Sequence, residues 1–102
     1  MVAKTIYQYL GGDGFAFMTG TKNFVSMKNG LFMRLARNKT CANRLEITYD
    51  EKRDLYNMRF FREAFYARKI QTVEKDVEVL NGVYCDQLQD IFTQVTGLYT
   101  HL

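Results

Sequence analysis

Tryptophan and proline are both absent from the chain, histidine occurs once and cysteine only twice. Each scarcity excludes something. Two cysteines as far apart as Cys41 and Cys85, in no CxxC or Cys/His cluster, form neither a zinc site nor a disulfide framework, and both are expected as reduced thiols. A single histidine, His101, next to the last residue, leaves no Ser/His or Cys/His pair for nucleophilic catalysis. No apolar run reaches the length of a membrane span, and MVAKTIYQYL lacks the apolar stretch of a secretory signal. A soluble protein of the cytoplasm, with no membrane association, is the expectation. The sequon Asn38-Lys39-Thr40 would then go unglycosylated.

What is present is aromatic and basic. Eight Phe and seven Tyr in 102 residues supply the bulk for one core, so a single domain over residues 1–102 is expected. The net charge of +3 conceals an uneven distribution. Residues 20–70 carry twelve Lys/Arg against five Asp/Glu, whereas 71–102 carry one Lys against five acids. One part of the fold should be basic and another acidic.

The pattern predicts an α+β fold: an antiparallel sheet of about five strands packed against a C-terminal amphipathic helix, with a short N-terminal helix. Lys4 to Leu10 places Ile6, Tyr7 and Leu10 on one side of a helix that Gly11-Gly12 ends. FAFM, residues 15–18, reads as a buried strand closed by a turn over Thr19–Lys22. Asn29-Gly30 lies between two apolar runs, the signature of a type I′ hairpin, with Met27 opposite Phe32 and Ser26 opposite Met33. Which face of that hairpin meets the core is not decided by its pattern. Ala36 to Asn43 is a polar, basic loop.

Arg44 to Tyr49 alternates, with Leu45, Ile47 and Tyr49 pointing inward. After the turn Asp50–Arg53, Tyr56, Met58 and Phe60 share the inward face of a second hairpin. Residues 62–69 also fit helical spacing, so a short helical connection is an alternative there. Ile70 to Val79 reads as a final, solvent-edged strand that Asn81-Gly82 breaks. Tyr84, Leu88, Ile91, Phe92 and Val95 then build a helical stripe, capped by Asn81 or by an Asp86-x-x-Gln89 box and stopped by Gly97. Leu98 and Tyr99 are expected to fold back onto it.

Three local signals bear on function. GFAFM, residues 14–18, resembles the aromatic strand motif by which RNA-recognition sheets stack bases, with Asp13 where that motif has a cation. Too few residues precede it for an RNA-recognition motif, and the C-terminal helix has no place in a cold-shock barrel, so a core strand is favoured. Basic and aromatic residues interleave in YNMRFFREAFYARK, a composition suited to a nucleic-acid groove, against the plainer reading of a solvated strand face. Asp86 and Asp90 share a helix face, but no third ligand accompanies them, and a solvated face is favoured over a metal. No metal and no cofactor is expected.

The segments TIYQYLGG, FMTGTKNF and NGVYCDQLQDIFTQVTGLYT together resemble a family of short uncharacterised proteins of bacteriophages and conjugative or other mobile elements, over about Thr5 to Thr100. Residues 62–78 look longer and more charged than that family's pattern. The resemblance implies a bacterial cytoplasm and a small accessory role, with DNA, RNA or a host protein as partner. The leading expectation is therefore a non-enzymatic protein that binds DNA or RNA. Arg34, Arg37, Lys39, Arg44, Arg59, Arg62, Arg68 and Lys69 would meet phosphates. The alternative is a protein-interaction module, either an inhibitor of a host factor or a self-associating scaffold, using a sheet edge or the acidic face around Asp86 and Asp90.

Overall fold

The computed structural model describes residues 2–100. Helices α1 (Val2–Leu10) and α2 (Gly12–Thr19) lead into strands β1 (Lys22–Met27), β2 (Gly30–Arg34), β3 (Arg44–Asp50), β4 (Leu55–Tyr66) and β5 (Gln71–Val83). A 3-10 turn, Cys85–Gln87, then opens α3 (Leu88–Thr96). The strands form one antiparallel meander in the order β1-β2-β3-β4-β5. This is the mixed architecture that the patterning implies. Among the described residues, no helix is long and apolar enough to cross a membrane.

One face of the sheet carries the core. Leu31 and Met33, Leu45 and Ile47, and Met58 and Phe60 pack on Ile6, Leu10, Phe15, Leu88 and Phe92 from the three helices. Strand residues alternate between faces, so Phe32, Arg34, Arg44, Glu46, Arg59 and Phe61 fall on the side without helices. Edge-to-face contacts of 4.9 Å between Phe15 and Phe92 lock α2 to α3. Burying each such ring is worth about 2–3 kcal/mol.

Several readings of local pattern are corrected. FAFM is helical: Gly11 and Gly12 both take positive φ, break α1 and let a second helix start at once. Phe15 and Thr19, four residues apart, face inward, and the Thr19 hydroxyl donates to the Phe15 carbonyl at 2.8 Å. Phe17 points out and is 87% exposed. An apolar run this short fits either element, and the glycine pair on one side with left-handed Gly20 on the other selects the helix.

The first hairpin turns one residue earlier than its Asn-Gly suggests. Lys28-Asn29 forms the turn, Met27 pairs with Gly30, Ser26 with Leu31 and Val25 with Phe32. Gly30 sits inside the ladder because a Cβ there would strike the Ile47 carbonyl. Neither turn residue has positive φ, so the turn is not type I′.

The helical alternative for residues 62–69 also fails. β4 continues unbroken to Tyr66, the chain turns over Ala67–Ile70, and β5 runs through Gly82 to Val83. Gly82 takes φ 74 and donates its N–H to the Asn57 side chain, which holds the strand where a break is expected.

At the C-terminal helix, capping falls to neither Asn81 nor Asp86. The Tyr84 N–H donates to Gln87 Oε1, and left-handed Gly97 closes the helix onto the Thr93 carbonyl. Leu88 and Phe92 are the buried ridge, and Leu98 packs back on it. Tyr84 and Tyr99 are exposed instead. His101 lies outside the described residues.

Candidate nucleic-acid interface

Strands β1 to β3 have five to seven residues each, whereas β4 has 12 and β5 has 13. The excess forms a two-stranded arm beyond Phe61, with no third strand or helix beside it. From Arg62 to Tyr66 and from Gln71 to Asp76 no residue is buried, and only Glu63 and Ala64 are half-buried. Residues that would normally be covered are open here: Phe65 is 63% and Ile70 83% exposed, with Tyr66 similar to Phe65.

The base of the arm is firmly held. Asn43 extends the ladder with its side chain, accepting from the Glu63 N–H at 2.8 Å and donating to the Glu63 carbonyl at 2.9 Å. On the face without helices, Arg59 lies with its guanidinium carbon 4.1 Å from the Phe61 ring centroid. It reaches Asp76 at 2.6 Å, Glu74 at 3.1 Å and Glu46 at 4.0 Å. The hydrogen bond to Asp76 is the main reason that its pKa rises above the usual arginine value. Arg44 lies 3.9 Å from Glu63.

These contacts consume the arm's carboxylates. Glu63 and Glu74, cross-strand partners, are each turned towards an arginine of the sheet. The arm's cations keep no such partner. Among the described residues, Arg62, Lys75, Arg68 and Lys69 have no carboxylate at ion-pair distance. Arg62 and Lys75 are moreover directly opposite each other in the register. Like charges in that position destabilise a ribbon, so the protein gains nothing internal from them.

The eight cations expected at a site are thus sorted into different environments. Arg68 and Lys69 occupy the tip. Arg62 donates to the Cys41 carbonyl at 3.2 Å and shares an open cup of about 450 Å³ with Arg37 and the 35–43 loop. Arg34 and Arg44 stand side by side on the other face, with Lys22 completing a row across three strands. Arg59 is neutralised, which removes it as a phosphate contact. Lys39 is docked on the end of α3: its N–H donates to the Thr96 carbonyl and its side chain lies 3.2 Å from where a Gly97 Cβ would be. The basic residues therefore span both faces of the sheet around the arm.

Lys22 and Lys75 escape a reading of charge runs, because each is isolated in sequence and gains a cationic neighbour only through strand pairing. Alternation within β5 was the available signal for Lys75. The acids Asp86 and Asp90 are exposed, and among the described residues no group of His, Cys, Asp and Glu is gathered as a metal site would require. The stacking role considered for GFAFM falls with its helical conformation: Phe15 is sealed in the core and cannot meet a base.

Fold and site together define an α+β protein in which a helix-covered meander carries a projecting, basic and aromatic β-hairpin arm. Comparison with family models, curated proteins and solved structures finds no match for the chain.

Proposed function

We propose that the protein is a non-enzymatic nucleic-acid-binding protein, with the β4–β5 arm as its contact element. The carrying observation is the arm itself: among the described residues, cations with no carboxylate partner, two of them forced opposite each other, beside exposed Phe65, Tyr66 and Ile70. The opposed cations and the positive φ of Ile70 cost stability in the free protein, and a polyanion with apolar bases would offset the first and cover the exposed rings. Arg62, Lys75, Arg68 and Lys69 meet phosphates in this reading, supported at the arm's base by Arg37, Arg34 and Lys22, while Arg44 stays with Glu63. An accessory role in a bacterial cytoplasm belongs to the same proposal.

The test is fluorescence anisotropy of labelled DNA and RNA titrated with the full chain at several salt concentrations. With the seven cations named each meeting one phosphate, log K on duplex DNA should fall against log salt with a slope of about −6. Absence of binding at low salt rejects the proposal.

A protein partner is the second reading, and one observation favours it. β5 is a long edge strand with no neighbour on its outer side, the kind of edge to which a strand from another chain adds. With Glu74 and Asp76 held by Arg59, Glu78 is the acid on this strand that would select a basic partner strand. Light scattering and capture of a partner from bacterial lysate test this reading.

A further inference from the structure

Ile70 is the one residue of the arm with positive φ. It closes the turn after Tyr66, where the Lys69 N–H donates to the Tyr66 carbonyl at 3.1 Å and the Ile70 N–H to the Ala67 carbonyl at 3.3 Å. This last turn position takes φ 48, in the left-handed region that glycine and asparagine occupy cheaply and β-branched residues avoid. The side chain is also 83% exposed. An apolar, β-branched residue held in that conformation with no cover has its compensation outside the chain.

Resting on the nucleic-acid reading above, we infer that the arm enters a groove of duplex DNA and that Ile70 is driven between base pairs, kinking the duplex. Apolar wedges of this type unstack a base step while flanking cations hold the backbones. Arg68 and Lys69 precede the wedge directly. The basic residues on the two faces of the sheet fit this geometry, since a ribbon in a groove has one phosphate backbone on each side. Arg62, Lys75 and Arg37 face one backbone; Lys22 and Arg34 face the other.

A single strand is the poorer occupant. Stacking successive bases requires rings on a common platform. Phe65 and Tyr66 are successive strand residues and leave β4 on opposite faces. Phe61 and Phe32, on the face without helices, are no substitute, because Phe61 is buried beneath Arg59. A second arm tip is no better suited to covering Ile70, because its own Arg68 and Lys69 would face the first pair.

The experiment uses the full chain with a duplex of about 30 base pairs carrying a donor and an acceptor dye at its two ends, and the same-length single strand as competitor. Groove insertion predicts that energy transfer rises on binding and that duplex is held about tenfold tighter than single strand. Ile70→Asn, which suits the left-handed turn and therefore folds, should lower duplex affinity about tenfold and abolish the rise in energy transfer. Phe17→Asn, an equally exposed apolar residue on α2, should retain both. Duplex binding without a rise in energy transfer, preference for the single strand, or a bend that survives Ile70→Asn each overturns groove insertion and leaves the broader nucleic-acid reading standing. No binding to either DNA at low salt overturns both.

Discussion

The two halves of the β4–β5 hairpin obey different rules. From Leu55 to Phe60, β4 alternates regularly, with Tyr56, Met58 and Phe60 under the helices and Asn57 and Arg59 outward, and Phe61 is then buried on the outward face beneath Arg59. From Arg62 onward the same strand has nothing to bury against, yet keeps Phe65 and Tyr66, and its partner strand keeps Val73 exposed. In the base, residue type follows from packing. In the arm it does not, and a sequence that pays for apolar and like-charged residues without an internal return points to a partner.

The largest contrast to test is therefore in stability. Phe92→Ala, at a buried ring touching Phe15 and Phe60, should cost about 3–5 kcal/mol in urea unfolding followed by circular dichroism. Phe65→Ala in the arm should stay within about 0.5 kcal/mol. An equal cost at both positions would mean that the arm is part of the core's cooperative unit.

Affinity should show the reverse order. Reversing Arg68 and Lys69 to Glu together should weaken DNA binding about 100-fold near physiological salt and flatten the salt slope by about 2, with unfolding unchanged. Arg59→Gln sharpens the comparison. It breaks contacts to Asp76, Glu74 and Glu46 and should cost about 1 kcal/mol of stability, since the group is a third exposed. Its effect on affinity should be smaller than that of Arg68→Gln, although both remove one positive charge.

At Ile70 the expected sign is unusual for an apolar residue. Replacing it by Asn should stabilise the protein by about 1 kcal/mol, because the left-handed conformation is no longer opposed by a branched side chain. A loss of stability would show that Ile70 packs within the chain.

The smallest expected effect is at the base of the sheet, on the rim where Tyr49 donates to Asp54 at 2.6 Å. That bond pushes the Tyr49 phenol up to about 12. Its contribution is complete below the ordinary phenol value of 10.0 and is lost as pH rises through about 12. The small stability difference between wild type and Tyr49→Phe should follow that course, constant at neutral pH and vanishing in strong alkali.

Much of the base was legible in the chain. Leu45, Ile47 and Tyr49 announce β3 by alternation, Leu88 and Phe92 announce α3 by helical spacing, and Gly97 marks its end. Each signal is repeated along the element, so one discordant residue such as Tyr84 does not hide it. FAFM had no repeat to lean on, and its conformation was set by the glycines around it. The candidate site was less legible. Arg68 and Lys69 stand out as a basic pair, but Arg59 looks identical in sequence and is neutralised by acids that lie 15 and 17 residues away.

The amino-acid sequence by itself determined the α+β class, the antiparallel strands and the terminal helices, because periodicity and glycine punctuation act over a few neighbouring residues. Only the tertiary structure decided which cations are neutralised, that Arg62 and Lys75 are forced together, and that the hairpin outruns its sheet. Those depend on register and on the relative lengths of paired strands, and both are properties of residues far apart in the chain.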